Sequence, residues 1–134
     1  MKRFVLPFCC LILIASHATA TSDFNKQWKA NFVGEDANDD LKSKVKSAGC
    51  YVCHVKGHKD KKKARNEYGT AVHKFLKKKD FPKDYLKENP EEAKAKIQAG
   101  FKKANEMKSK DGDKFGDKIK ANKLPAIDGM PKKE

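Results

Sequence analysis

Five consecutive residues, Cys50-Tyr51-Val52-Cys53-His54, hold the clearest chemistry in this chain. In a C-x-x-C-H run the two thiols stand at the spacing of the two vinyl groups of a haem, so each can add its S–H across one double bond and become a thioether. The adjacent imidazole is thereby aimed at the iron as proximal ligand. The spacing predicts one covalently bound haem c, attached through Cys50 and Cys53, with His54 on the iron. Two other uses of such thiols have less behind them. Structural zinc draws its second ligand pair from a separate, similarly spaced motif, which His58 and His73 do not form. A thioredoxin-like dithiol belongs in a βαβ setting, and no alternating strand run is present.

Positioning these residues falls to helices. Ser22 can cap a first helix with Phe24, Trp28 and Phe32 on one stripe, which Gly34 stops. After the acidic stretch from Glu35 to Asp40, a second helix holds Leu41, Val45 and Ala48, and Gly49 ends it directly before Cys50. Lys56 to Lys63 is a Gly- and Lys-rich loop. A third helix is expected from about Ala64 to Lys79, with Tyr68, Val72, Phe75 and Leu76 on one face and Phe81-Pro82 closing it. Asn89-Pro90-Glu91-Glu92 is a start signal of cap, proline and acids for a fourth helix reaching about Lys108. Its buried face would be Ala93, Ile97, Gly100, Phe101 and Ala104. Asp111-Gly112 breaks it, and a short fifth helix around Phe115 and Ile119 precedes the tail from Leu124 to Glu134. The expected fold is all-α: one domain of about four to five helices around the haem, with no internal repeat.

The first twenty residues divide into Lys2-Arg3, an apolar stretch from Phe4 to Ala15, and Ala18-Thr19-Ala20. That is the charged, apolar and small-residue order of a secretory signal, so residues 1–20 are read as a leader and 21–134 as the mature cytochrome domain. A membrane anchor fits less well, because twelve apolar residues fall short of the roughly 20 a span needs. Cys9 and Cys10 lack the small-residue context of a lipoprotein signal. Cys50 and Cys53, the two cysteines left after the leader, are too close to staple a fold, which again points to chemistry.

The chain has 134 residues, of which 37% are charged, and a formal net charge of +13. Lys2 and Arg3 lie in the leader, which leaves 29 basic against 18 acidic residues and a charge of +11. With 38% hydrophobic residues, leader included, the domain can build only a modest core, which the haem would help to fill. One apolar run, 8 Gly and 4 Cys exclude a membrane bundle, a collagen repeat and a disulfide-dense scaffold. Nucleic acid is a poor partner for an exported, Lys-rich chain without a reader motif. A redox partner with an acidic docking face fits the charge better, as does peripheral contact with an anionic membrane.

Three stretches extend the pattern beyond the thiols: Gly49-Cys50-Tyr51-Val52-Cys53-His54-Val55-Lys56, then Arg65-Asn66-Glu67-Tyr68-Gly69 after the lysine loop, then Met107 to Gly116 with its Lys110-Asp111-Gly112-Asp113-Lys114-Phe115-Gly116 run. On these the chain resembles small monohaem cytochromes c, and more narrowly the NaxLS-type cytochromes c of anammox and planctomycete bacteria, over most of its length after the leader. The resemblance implies an exported helical haem protein, often paired with a related cytochrome subunit as heterodimer or homodimer, with a distal cysteine and the ability to bind nitric oxide or carbon monoxide. After residue 20 this chain has no third cysteine, and there it departs from the family.

The expected function is therefore that of a periplasmic single-electron carrier that transforms no substrate and is not an enzyme. The alternative is a haem-based module that binds nitric oxide or carbon monoxide. Candidates for the sixth iron position are Met130, in Gly129-Met130-Pro131, then Met107, then His73, with a vacant site beside them. His58 ranks last, being only four residues from His54. Arg65 and Tyr68, three residues apart, are candidates for a haem propionate, since a guanidinium fork matches a carboxylate. A snorkelling Arg65 and a core Tyr68 are the plain alternative. Trp28 reads as a core residue that would also wall the haem.

Overall fold

Helical periodicity decides the architecture. The computed structural model describes residues 20–35, 37–60 and 63–128; all but the last residue of the expected leader 1–20, and the candidate ligand Met130, lie outside them. The chain is mostly helical, with no strands among the described residues. Its α-helices are α1 (Ala20–Phe32), α2 (Asp39–Ala48), α3 (Glu67–Phe75), α4 (Lys83–Glu88), α5 (Pro90–Asn105) and α6 (Phe115–Lys120). Six described helices exceed the four to five expected. The extra one is α4, whose six residues between Pro82 and Pro90 are too few to show a period.

The two best-punctuated helices follow the expectation closely. In α2, Leu41, Val45 and Ala48 are the buried residues, and the Asn38 side chain caps the start by accepting from Asp40 N. In α5, the expected face of Ala93, Ile97, Gly100, Phe101 and Ala104 is buried, with Asn105 added. This helix stops at Asn105, not Lys108, because Met107 N turns back to Ala104 O at 3.1 Å.

Two helix starts differ from expectation. The first helix begins at Ala20, so Ser22 lies inside it and is not its cap. The third begins only at Glu67, because residues 64–66 are extended against the segment after Cys53: Val55 N donates to Ala64 O and Asn66 N to Cys53 O. Asn66 then caps α3, its side chain accepting from Gly69 N at 2.8 Å. At the other end Leu76 adopts extended backbone and packs inward, so Phe75 is the last helical residue and is 39% exposed rather than buried. A Cβ built on Gly100 would fall 2.3 Å from Leu76 Cδ2, so Leu76 packs directly on the glycine.

The core runs between α1, α3 and α5. Trp28, Tyr68, Ile97, Phe101 and Phe115 are its large members. Tyr68 meets Phe115 edge-on with centroids 5.2 Å apart, and Phe32 meets Phe101 at 6.3 Å. After α6 the chain returns across this core, burying Pro125 and Ala126. Asp128 then accepts from Glu67 N at 3.1 and 3.2 Å, placing a carboxylate on the first free amide of α3. No helix of the described residues is long and apolar enough to cross a membrane.

Candidate functional site

The turn out of α2 sets the position of the two cysteines. Gly49 adopts φ +54, a value that L side chains rarely take, and leads into a 3-10 turn over Gly49–Val52 that contains Cys50. Val52 points into the core, Cys50 is exposed and Cys53 half-buried, and both cysteines are free thiols. Burial pushes the Cys53 thiol up to about 12, and the neighbouring Cys50 adds to the rise. Cys53 is thus held as the neutral S–H.

Three groups clamp this turn against α3. The Asn66 amide donates to Tyr51 O at 3.1 Å and Val52 O at 3.0 Å, while its own backbone N–H donates to Cys53 O at 3.1 Å. Asn66 is 1% exposed, so the carbonyls on both sides of Cys53 find their donors in one buried residue. Gly69 completes the contact. A Cβ at that position would sit 1.9 Å from Cys53 O, which makes glycine the residue type that lets the turn lie directly on the helix.

His54 is half-buried, and its Nδ1 lies 3.1 Å from Ala64 O. A carbonyl can only accept, so the attractive tautomer carries the hydrogen on Nδ1 and leaves the Nε2 lone pair for a metal. A haem-ligating imidazole is held in this way, with the second nitrogen fixing ring direction and tautomer. One side of a haem iron, with its two thioether anchors, therefore fits the residues present.

The remaining candidates are spread out. Arg65 is not on the helix: it precedes α3, is exposed, pairs backbone with His54 in an antiparallel bridge, and its Nη1 donates to Lys63 O at 3.3 Å. Tyr68 is fully buried. Its hydroxyl accepts from Trp28 Nε1 at 2.8 Å and donates to Asn105 Oδ1 at 2.9 Å. Burial, then the nearby Cys53, raise its pKa far above the ordinary phenol value, against a lowering by Trp28. The hydroxyl is thus occupied inside the core and has no exposed face for a propionate, whereas the Arg65 fork is open to solvent.

His73 is exposed in the last turn of α3, its pKa lowered first by desolvation and then by the charges of Arg65 and Lys77. Met107 is half-buried in the turn after α5, where its carbonyl accepts from Phe115 N at 3.0 Å. Neither residue makes a hydrogen bond, ion pair or ring contact with Cys50, Cys53 or His54. His58 is exposed and accepts from Asp60 N at 3.1 Å. Among the described residues no three His, Cys, Asp or Glu gather as a metal site.

Asn66 and Gly69 are the positioning residues that side-chain chemistry alone did not single out. Their signal was an asparagine three residues ahead of a glycine, a cap followed by a close approach. Compared with protein-family models, curated proteins and solved structures, the chain matches none of them.

Proposed function

We propose that this protein is an exported monohaem c-type cytochrome that carries single electrons between redox partners. The observation behind the reading is the His54 imidazole, held through Nδ1 to Ala64 O with Nε2 left for iron, next to the two free thiols of the C-x-x-C-H run. A bound haem would supply one-electron chemistry at its iron. The residues of the chain do the rest. Cys50 and Cys53 would hold the haem, each adding its S–H across one vinyl double bond to leave a thioether, an addition that needs no outside oxidant or reductant. Asn66 and Gly69 fix the turn, Ala64 O orients His54, and the Arg65 fork would meet a propionate at the surface.

Export follows from the leader pattern of residues 1–20. Cleavage after Ala20 would remove one residue of α1 and leave Phe24, Trp28 and Phe32 in place, so processing and folding are compatible.

The full chain made with a haem-ligation system should have the mass of the processed polypeptide plus one haem, and should keep its colour through denaturation and acid-acetone extraction. Haem that extracts freely, or a mass without it, would overturn the reading. Changing Cys50→Ser and Cys53→Ser together should abolish attachment.

A further inference from the structure

We propose that the far end of α3 is a docking face for an acidic partner protein, which seats one apolar side chain beside Phe75. The face surrounds a cleft of about 340 Å³ whose apolar walls are Phe75, Phe81, Ala99 and Gly100. Phe75 is one of the two large hydrophobic side chains left exposed among the described residues. Such a residue at the mouth of a recess is the arrangement of an interface anchor.

The charge around it identifies the partner. Lys103 lines the cleft and forms no ion pair among the described residues. Lys77, Lys78 and Lys79 are exposed on the segment that enters Asp80 and Phe81, likewise without ion pairs among the described residues. Lys96 is held by Glu92 at 2.8 Å, and Asp80 is the one acid among the lining residues. The recess is thus apolar with Lys103 in its lining and three more lysines on the segment that leads to its Asp80 and Phe81, a setting complementary to an apolar residue flanked by acids. A second copy of this chain would bring like charge to the rim. A bilayer surface is too flat to enter the recess.

This face is separate from the haem-attachment turn. Gly69 lies against Cys53, and Phe75 is six residues on, about 9 Å of helix rise away. The surface stands on its own geometry; that its partner is a redox protein rests on the haem reading.

The test is calorimetric titration of the haem-loaded full chain at low salt with a capped heptapeptide of three glutamates, one phenylalanine and three glutamates. Saturable one-to-one binding is expected, weakened by about tenfold or more when the peptide phenylalanine is replaced by glutamate, by Phe75→Ser, and by Lys78→Glu with Lys79→Glu. Lys59→Glu with Lys63→Glu should leave the affinity within about twofold. No binding, equal binding of the all-glutamate peptide, or an equal loss from the Lys59 and Lys63 reversals would overturn the proposal. So would Phe75-dependent self-association by sedimentation, or Phe75-dependent binding to phosphatidylglycerol vesicles that exceeds binding to the peptide. Haem content read by absorbance on the same samples separates a failed docking face from a failed haem reading.

Discussion

The two ends of α3 are built by opposite means. At its start, the turn bearing Cys50 and Cys53 is held by directional contacts: three donors from Asn66, one acceptor from Asn66 to Gly69 N, and a backbone-on-backbone approach that only glycine permits. At its end, Leu76 rests on Gly100 through flexible side-chain atoms, and Phe75 and three lysines face solvent. A site that must aim an imidazole needs contacts with fixed angles, whereas a face that receives a partner needs exposed area and charge. Under the two proposals one nine-residue helix would serve both, because polar clamps act within a turn and leave the opposite end free.

Adding the same methyl group to each end is the sharpest way to break this comparison. Gly69→Ala would drive a Cβ to 1.9 Å from Cys53 O, and neither backbone can yield without moving the thiols. A loss of about 3 kcal/mol or more in unfolding free energy is expected, together with a sharp fall in haem incorporation. Gly100→Ala meets Leu76 Cδ2 at 2.3 Å, the far end of a side chain that can rotate, and it gains helix propensity. Its cost should be about 1 kcal/mol, with incorporation unchanged. Denaturant titration and the ratio of haem absorbance to protein would measure both, and equal effects would erase the distinction.

How much of this was legible beforehand depended on punctuation. The α5 face could be read because a proline start and a 3.6-residue period agreed over sixteen residues. The Cys50-x-x-Cys53-His54 run stood out for another reason, since its spacing is itself the signal on which the haem proposal rests. The α3 boundaries were not legible. Residues 64–66 have helix-compatible side chains, and what draws them into extended pairing is the segment after Cys53, a tertiary contact that no local pattern records. The same contact takes Arg65 out of the third helix, which was expected to start at about Ala64. Phe75 misled for a related reason: its spacing suits a buried face, but α3 ends there and Leu76, in extended backbone, takes the inward position. Tyr68 was open between core and propionate, and the Trp28 and Asn105 partners that decide its hydroxyl lie 40 and 37 residues away.

Removing the polar clamp tests the first end alone. Asn66→Ala would leave Tyr51 O and Val52 O without their amide donor and Gly69 N without its cap. The residue is almost fully buried, so water cannot substitute at once, and a loss of about 2–3 kcal/mol is expected. Asn66→Asp keeps the cap at Gly69 N but cannot donate to the two carbonyls, so it should recover only part of the stability. If Asn66→Asp behaved as the parent does, the bonds to the Cys50–Cys53 turn would not be what holds it.

The smallest effect joins the two ends through His73. This exposed imidazole has its pKa lowered first by desolvation, then by Arg65 from before α3 and by Lys77 from after it. Because the folded chain favours the neutral ring, the unfolded chain takes up the proton more readily. Stability present above the unfolded value of about 6.5 is therefore lost as pH falls below it toward the folded value. At an exposed site solvent screens the charges, so the change should stay under about 1 kcal/mol and shrink further with salt. An NMR titration of His73 would divide the cause. Arg65→Gln should raise its pKa somewhat more than Lys77→Gln, and His73→Gln should remove its share of the pH slope. A larger response to Lys77→Gln would place His73 with the docking end of the helix instead of the haem-attachment end.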